Sequence, residues 1–329
     1  MAQTRTPTSV VIELLDRSLV FVTGKGGVGK TTFSAALASL AAGNGKTVLV
    51  CEVDAKGDLA SAFETEPTEF VEREVLPNLW AMSMDTEASL REYLKLNLHI
   101  PVVGRIGPLA RAFDFVATAA PGVREILTVG KLCYEVREKN YDIVIVDAPA
   151  TGHVIGQLAA PQAINDLVKV GLVRSQTDWM LEILSDATRT GVVVVTTPEE
   201  MPVNETMELV QRVRQETTVE LAAVVVNRML PDLFGPDQQG VFEELTRPEV
   251  VAELSRVLGS DTTPVIDAAR LAVTLRMIRS GHLERLRAGL DRSVPMHFLP
   301  YLFARTYGLR TTRQLAKILG QELEREAAQ

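Results

Sequence analysis

Cysteine is scarce in this sequence, and an excess of basic charge is absent. The two cysteines, Cys51 and Cys133, stand far apart and form no CxxC pair, so the chain has neither a disulfide framework nor zinc-ligand spacing. An iron–sulfur or soft-metalloid site across a dimer would need exposed thiolates held close together, whereas Cys51 lies in an apolar run that predicts burial. With 34 basic and 42 acidic residues the formal charge is −8, which disfavours nonspecific binding to nucleic acid or anionic lipid.

Long apolar runs are absent as well. Residues 1–18 contain no apolar signal-peptide core. The longest apolar runs, at 191–195 and 221–226, have the length of strands and fall far short of a membrane span. We therefore expect no direct membrane insertion and a cytoplasmic location.

What the sequence does contain is an alternation of short β-branched runs with longer helical patterns. This alternation is typical of an α/β fold in which a mostly parallel, doubly wound sheet is covered by helices on both faces. Strands are predicted at 18–23, 47–53, 79–84, 141–147, 191–196 and 219–227, and helices at 31–42, 203–216 and 250–258.

Two stretches interrupt this rhythm. Residues 86–140 separate two strands by more than fifty residues of mostly helical pattern, so we expect a helical insertion or subdomain there. Residues 231–292 form a second mainly helical segment, followed by an extended stretch at 295–302 and a closing helix at 311–325. Because no repeat or convincing linker divides the chain, residues 1–329 are predicted to form a single domain.

The strongest motif is a glycine-rich loop between an apolar strand and an amphipathic helix. The sequence G-x-x-x-x-G-K-[ST] is satisfied by Gly24, Lys25, Gly26, Gly27, Val28, Gly29, Lys30 and Thr31. The glycines let successive backbone N–H groups surround phosphate oxygens, and the helix N-terminus adds its positive dipole end. Lys30 supplies charge for the β- and γ-phosphates, the Thr31 hydroxyl is placed for Mg²⁺, and Thr32 lies near the α-phosphate. The motif predicts a site for ATP and Mg²⁺.

Two aspartates end predicted strands at the carboxyl edge of the sheet, where parallel sheets bind ligands. Asp147 closes the run YDIVIVD and is predicted to hold Mg²⁺ through a water, while the N–H of Gly152 is predicted to meet the γ-phosphate. Asp54 is the candidate to orient or deprotonate the attacking water, with Asp58 as the competitor and a solvated loop acid as the plainer alternative. His153 is interpreted as a structural or switch residue, because no second His or Cys stands at ligand spacing.

The early lysine in GKGGVGKT, Lys25, resembles the deviant Walker A signature of the ArsA, MinD, ParA and nitrogenase iron-protein ATPases. In those families this lysine reaches across a nucleotide-sandwich dimer to the partner's phosphates, much as an arginine finger does. The resemblance implies catalytic roles for Lys25 and Lys30 and a dimer whose ATP hydrolysis depends on assembly. A solvated loop lysine is the alternative.

Further segments are similar to the ArsA family in particular. Residues 147–153, DAPATGH, resemble its DTAPTGH switch. Residues 78–85 resemble its strand that enters the helical region. Residues 121–127 resemble its PG-containing helix start, and residues 197–210 resemble its helix with the ET-x-x-L motif. The resemblance implies adenine contacts for Asn227, in VVVNRMLP, and for Pro300, near Gly308 and Leu309. It runs from about residue 18 to the C-terminus and implies a single P-loop ATPase domain.

The sequence also departs from that family. Residues 54–63 read DAKGDLASAF where the family's switch I reads DPAHNLSDAF, which places Ala55, Gly57 and Asp58 at the Pro, His and Asn positions. Cys51 and Cys133 do not match the arsenite-binding cysteines of the pump ATPase, and the zinc CxxC of the tail-anchored-protein carrier is absent. With one P-loop, the two active halves have to be separate chains, either identical or paralogous.

Two functions follow from these patterns. The first is a Mg²⁺-dependent dimeric ATPase whose nucleotide switch acts on a partner or cargo, in anion transport or membrane-protein handling by family analogy. The second is a nucleotide-binding regulatory or assembly subunit with weak turnover, paired with a paralogous ATPase. Residues 98–120 are apolar enough to line a cargo groove, although packed core helices explain them more simply. The closing helix is expected to dock on its own domain rather than on a membrane, and no nucleic-acid partner is expected.

Overall fold

The computed structural model describes residues 14–54, 57–98, 122–235 and 238–327, and one eight-stranded sheet lies at its centre. The strands are β1 (Leu19–Thr23), β2 (Val48–Glu52), β3 (Arg73–Leu76), β4 (Leu79–Ser83), β5 (Ile143–Asp147), β6 (Thr190–Thr196), β7 (Leu221–Met229) and β8 (Met296–Pro300). Their order is β3-β4-β2-β5-β1-β6-β7-β8, and every neighbouring pair is parallel except β3–β4. The predicted α/β class with a mostly parallel sheet is confirmed.

Helices pack on both faces of this sheet. They are α1 (Lys30–Gly43), α2 (Asp58–Phe63), α3 (Thr86–Leu98), α4 (Val123–Arg137), α5 (Thr151–Leu167), α6 (Leu172–Ser185), α7 (Glu200–Glu216), α8 (Gln239–Leu245), α9 (Pro248–Leu258), α10 (Thr263–Gly289) and α11 (Leu309–Ala327). One hydrophobic core joins the sheet to α1, α2 and α11, and a second core on the opposite face joins it to α4, α5, α6, α7 and the end of α10.

The packing of helices on both faces of the sheet explains why most strands are unbroken apolar runs in the sequence. Every residue of β1, β2, β5 and β6 is buried, because alternate side chains enter the two cores. The edge strand β3 differs: its residues are exposed or half-buried, and it joins β4 through a turn in which Asn78 has φ of 63°. The sequence analysis did not identify β3, since it has no apolar run, and it assigned no helices to the residues of α5 and α6.

The two irregular stretches are mainly helical where they are described. Between β4 and β5 stand α3 and α4, while residues 99–121 lie outside the described part of the chain. The proposed groove at 98–120 therefore falls almost entirely outside it. Residues 231–292 contain α8, α9 and α10. The division into a domain with insertions stays a prediction.

Helix α11 closes one face of the sheet. Its side chains Leu315, Leu319 and Leu323 are buried in the core that α1 shares, and the Glu322 carboxylate accepts the backbone N–H of Phe298 in β8 at 2.9 Å. The apolar stripe of this helix is thus occupied by its own domain. Within the described residues, no helix combines the length and apolar character that a membrane crossing requires.

Candidate functional site

The glycine-rich loop follows β1 and enters α1 at the carboxyl edge of the sheet. Gly24, Gly27 and Gly29 have φ of 146°, 85° and 95°, values that residues with a side chain rarely adopt. A Cβ on Gly24 would lie 2.1 Å from the Val195 carbonyl oxygen, and one on Gly29 would lie 2.4 Å from Asn227 Nδ2. Glycine is required at both positions by close approach as well as by backbone geometry.

The loop borders a cavity of about 380 Å³. Its lining joins the phosphate-loop residues to the ends of β2 and β5, to α2 and to the start of α11: Gly26, Gly27, Gly29, Lys30, Thr31, Thr32, Glu52, Asp54, Asp58, Ser61, Ala62, Asp147, Ala148, Pro149, Ala150, Arg228, Tyr307 and Thr312. The cavity therefore brings together the predicted Lys30, Thr31, Thr32, Asp54 and Asp147. Gly24, Lys25, Val28, Gly152, Asn227 and Pro300 stand outside this lining.

Asp147 is the buried anionic centre of the cavity. Its two oxygens accept hydrogen bonds from Thr31 Oγ1 at 2.5 Å and from Ser34 Oγ at 3.2 Å. Desolvation raises the pKa of this carboxyl to about 6, an effect that the Thr31 bond and the Lys30 charge oppose and that the nearby Glu52 reinforces. Ser34 was missed by the sequence analysis, although it lies one helical turn after Thr31.

The raised pKa of Asp147 predicts that the free energy of unfolding of the nucleotide-free protein depends on pH. The unfolded carboxyl titrates near 3.9 and the folded one near 6, so the folded state binds more protons between these values. Stability therefore falls as pH rises through this window, by about 3 kcal/mol in total. Asp147→Asn is expected to be more stable than the parent at pH 8 and equal to it near pH 4, measured by urea unfolding without nucleotide.

Asp142 provides the matched control for that measurement. It precedes the same strand, and hydrogen bonds from Thr47 lower the pKa of its carboxyl. A lowered pKa contributes stability above the unfolded value, which is lost as pH falls. Asp142→Asn should consequently destabilise the protein at neutral pH, the opposite sign to Asp147→Asn. Equal pH profiles for the two variants would contradict the assignment.

The donor set around Asp147 fits a hard divalent cation. Thr31 and Asp147 offer a hydroxyl and a carboxylate oxygen side by side on the cavity wall, and Mg²⁺ prefers oxygen ligands from one or two side chains plus phosphates and water. Within the described residues, no group of three or more His, Cys, Asp or Glu forms a complete metal site.

The two lysines of the loop have different surroundings. Lys30 lines the cavity, and its Nζ donates to the Lys25 carbonyl oxygen at 3.4 Å. Lys25 Nζ instead forms a salt bridge with Glu205 Oε1 of α7 at 2.5 Å, with both side chains about 30% exposed. The lysine with the predicted cross-dimer role is therefore held by its own chain, outside its own cavity. Glu205 is the glutamate of the ET-x-x-L segment, for which the sequence analysis predicted no contact with Lys25.

Three carboxylates lie along the stretch from the end of β2 to the start of α2. Asp54 and Asp58 are exposed and both line the cavity, so the structure places both candidates for the water-activating group beside the phosphate loop. Glu52 is 2% exposed, also lines the cavity, and accepts the backbone N–H of Asp58 at 3.1 Å. The sequence analysis treated Glu52 only as a strand residue.

Asn227 braces the phosphate loop from β7. Its Nδ2 donates to the Val28 carbonyl oxygen at 2.9 Å, and its Oδ1 accepts the Arg228 N–H at 2.8 Å. Pro300 ends β8 and is half-buried. The adenine contacts predicted for Asn227 and Pro300 stay predictions. Arg228 and Tyr307 also line the cavity. Arg228 follows Asn227 within VVVNRMLP, and the sequence analysis assigned a role to neither residue.

The switch residues after β5 begin a helix. Ala148, Pro149 and Ala150 line the cavity, and α5 starts at Thr151, so Gly152 lies in its first turn. First-turn N–H groups have no intrahelical acceptor, but Gly152 itself stands just beyond the lining. Its γ-phosphate contact stays a prediction.

The two thiols are fully buried. Cys51 lies in β2 and Cys133 in α4, both with no exposed surface. Burial raises the pKa of Cys51 far above its usual range and that of Cys133 to about 12. Neither is a reactive thiolate, which removes both as ligands for a soft metalloid.

Comparison with known proteins points to one family. The sequence model ArsA_ATPase, described as anion-transporting ATPase, matches residues 17–178 and 169–243, a span that includes the phosphate loop, Asp54 and Asp147. The ATPase BagA of Mycobacterium tuberculosis is 35% identical over 229 residues, covering 66% of this chain and 67% of the relative. ATPase get3 of Schizosaccharomyces japonicus is 34% identical over 157 residues, 47% of each chain. An ATPase ASNA1 homolog of Entamoeba dispar is 26% identical over 253 residues, 64% of this chain and 76% of that protein.

Proposed function

The chain belongs to the ArsA-type family of anion-transporting ATPases, and on that premise we propose that it binds ATP with Mg²⁺ and hydrolyses it as a dimer. The observation that carries the proposal is the single cavity in which Lys30, the Thr31–Asp147 pair and Asp54 meet. These are a phosphate-binding cation, oxygen donors for Mg²⁺ and a carboxylate for water activation. Phosphoryl transfer needs little more than such positioning and charge stabilisation.

The binding roles follow from the loop geometry. The backbone N–H groups of residues 26–29 and the Lys30 ammonium hold the β- and γ-phosphates, helped by the N-terminus of α1. Thr31 and Asp147 would hold Mg²⁺, which neutralises charge on the phosphate oxygens when bound. Since a cation favours the ionised form of Asp147, binding would offset the desolvation cost of that buried carboxylate.

Asp54 is the proposed group for the attacking water. It follows β2, whose neighbour in the sheet is β5 with Asp147, so the two carboxylates flank the same cavity. Asp54 is exposed, as suits a group that exchanges a proton with water. Asp58 is the competing candidate.

The base of ATP is proposed to lie at the end of the cavity that Arg228 and Tyr307 would form, since both residues line it. Tyr307 is 50% exposed and its hydroxyl donates to the Leu302 carbonyl oxygen, leaving the ring available to a base. Stacking on an aromatic ring contributes about 1–3 kcal/mol per base. Asn227 supports this end by bracing the phosphate loop, and Pro300 closes β8 beside it.

Tyr307→Ala is therefore expected to raise the Kd for ATP about tenfold while leaving kcat and the affinity for inorganic tripolyphosphate unchanged. Equilibrium binding of ATP and tripolyphosphate measures both. Tyr301→Ala is the matched control, because the Tyr301 ring pairs with Phe303 and stands outside the cavity lining. Equal losses of affinity for ATP and for tripolyphosphate would contradict a contact between Tyr307 and the base.

The dimer is tested by assembly in the presence of nucleotide. The purified protein should show Mg²⁺-dependent ATP hydrolysis whose specific rate rises with protein concentration. ADP with a γ-phosphate mimic should shift its mass in solution from one chain to two. No hydrolysis at any concentration, alone or with a paralogous chain, together with no protection by ATP against thermal unfolding, would refute the proposal.

The second candidate is a regulatory or assembly subunit that binds nucleotide with weak turnover. Its support is the altered switch sequence, in which Gly57 and Asp58 stand at the His and Asn positions. Nucleotide-dependent dimerisation with negligible turnover, or stimulation of a paralogue's turnover, would favour this role. Turnover by the protein alone would favour the first.

The cargo is proposed from family membership: an anion in transport, or a membrane protein handled in the cytoplasm. The buried thiols of Cys51 and Cys133 argue against an arsenite site at these residues. Exposed apolar side chains stand on α10, such as Leu271 and Ile278, and at the α5–α6 turn, such as Val170. Stimulation of turnover by arsenite, or protection of a transmembrane peptide from aggregation, distinguishes the two cargo classes.

A further inference from the structure

Glu52, the last residue of β2, is a buried carboxylate in the cavity that none of the roles above uses. It is 2% exposed and stands opposite Asp147 in the β2–β5 register. Its Oε1 accepts a hydrogen bond from the backbone N–H of Asp58 at 3.1 Å. The contact joins the end of β2 to the start of α2.

This hydrogen bond replaces a missing helix cap. Asp58 is the first residue of α2, so its N–H has no acceptor within the helix. The N-cap residue is Gly57, at φ of 77°, which has no side chain to provide one. The Glu52 carboxylate supplies the acceptor.

The backbone of Glu52 is held in the sheet. The Glu52 carbonyl oxygen accepts the Met84 N–H at 2.8 Å, and β2 is paired with β4 on one side and β5 on the other. Asp54 lies between the two residues that the hydrogen bond joins. Because residues 52 and 58 are tied together, fewer positions are open to the Asp54 side chain.

We propose that Glu52 is a positioning residue for hydrolysis: by holding the Asp58 N–H, it ties the start of α2 to the end of β2 and so restrains Asp54 beside the phosphate loop. This inference rests on the proposed function. The proposed role requires an oxygen acceptor at residue 52 rather than a negative charge. Glutamine at this position should therefore preserve the role. A structural role confined to filling space would instead be met by any side chain of similar length.

The first test measures amide hydrogen exchange in the nucleotide-free protein. Glu52→Met keeps the length of the side chain but has no oxygen acceptor. It is expected to speed exchange in a peptide spanning residues 53–63 by about tenfold, since the loss of one net hydrogen bond changes a local opening equilibrium by about this factor. Glu52→Gln should stay close to the parent. Glu66→Ala, which removes an exposed carboxylate from the connection after α2, is the matched control and should change nothing there.

The second test is kinetic. Glu52→Met should lower kcat by roughly tenfold to a hundredfold, because small displacements of a catalytic group are costly, and should leave the Kd for ATP within about threefold. Glu52→Gln should restore most of kcat. If Glu52→Met does not fold, Glu52→Ala takes its place in both tests.

Two outcomes would overturn the inference. Unchanged exchange at 53–63 in Glu52→Met would show that the hydrogen bond does not hold this connection. Equal defects in Glu52→Gln and Glu52→Met would assign the effect to the charge. If the parent protein shows no turnover, the proposed function fails, while the exchange experiment still decides whether Glu52 holds the connection.

Discussion

Replacing Lys25 with alanine is expected to lower kcat for ATP hydrolysis about a thousandfold and to leave the Kd for ATP within about threefold of the parent. Lys30 lines the cavity of its own chain, whereas Lys25 is bound to Glu205 outside it. Lys25 is therefore proposed to act on the phosphates of a partner chain. A cation supplied across an interface at the transferring phosphate gives rate effects of this size, and a thousandfold corresponds to about 4 kcal/mol of transition-state stabilisation.

The salt bridge to Glu205 is too weak to keep Lys25 from reaching the phosphates of a partner chain. Both side chains are about 30% exposed, and ion pairs with this access to water contribute about 0–1 kcal/mol. Glu205→Gln should therefore leave kcat unchanged or raise it by up to about fivefold, since it releases Lys25 without removing it. This variant is the matched control for Lys25→Ala.

Lys30→Ala provides the contrast. Its loss should weaken ATP binding itself, because the ammonium group lines the cavity. Titration with a fluorescent ATP analogue measures binding, and single-turnover hydrolysis measures the chemical step. Together they distinguish the roles of the two lysines. If Lys25→Ala weakens binding as much as Lys30→Ala does, Lys25 acts in its own site and the cross-dimer role is wrong.

The parts of this site that sequence could predict are those set by short-range rules. The phosphate loop needs glycine at Gly24 and Gly29, where a Cβ would collide with Val195 or Asn227, and the requirement appears as a motif of eight residues. Asp147 is predictable because an acid after a buried apolar run marks the carboxyl edge of a parallel sheet. The same apolar runs predicted the sheet.

The parts that sequence missed depend on contacts between distant segments. Glu205 meets Lys25 across 180 residues, and the ET-x-x-L resemblance that contains it indicates no partner for its carboxylate. Glu52 stands within an apolar run, where the neighbouring Asp54 is the more conspicuous strand-end carboxylate. The exposed strand β3 is defined by pairing with β4 rather than by its own pattern. Each becomes visible only when the tertiary fold supplies the second partner.

Asp54→Asn is expected to lower the single-turnover rate of hydrolysis about a thousandfold, within the range for loss of a general base, with Mg²⁺–ATP binding retained. Asparagine has nearly the same shape as aspartate but cannot accept the proton. Asp58→Asn is the matched control, because Asp58 lines the same cavity and its backbone N–H stays bound to Glu52. We expect less than about a threefold loss for Asp58→Asn, since its side chain is not assigned to water activation. A large loss there with little effect of Asp54→Asn would exchange the two roles.

Mixing Asp54→Asn with Lys25→Ala extends this prediction to the dimer. Each variant alone should be inactive. In a mixed dimer the Lys25→Ala chain keeps its own Asp54, and the Asp54→Asn chain supplies the missing lysine, so one of the two sites is complete. Random pairing makes about half of the dimers mixed, and about one quarter of the parent activity should return. If each lysine served only the site of its own chain, no pairing would unite Lys25 with Asp54, and the mixture would stay inactive.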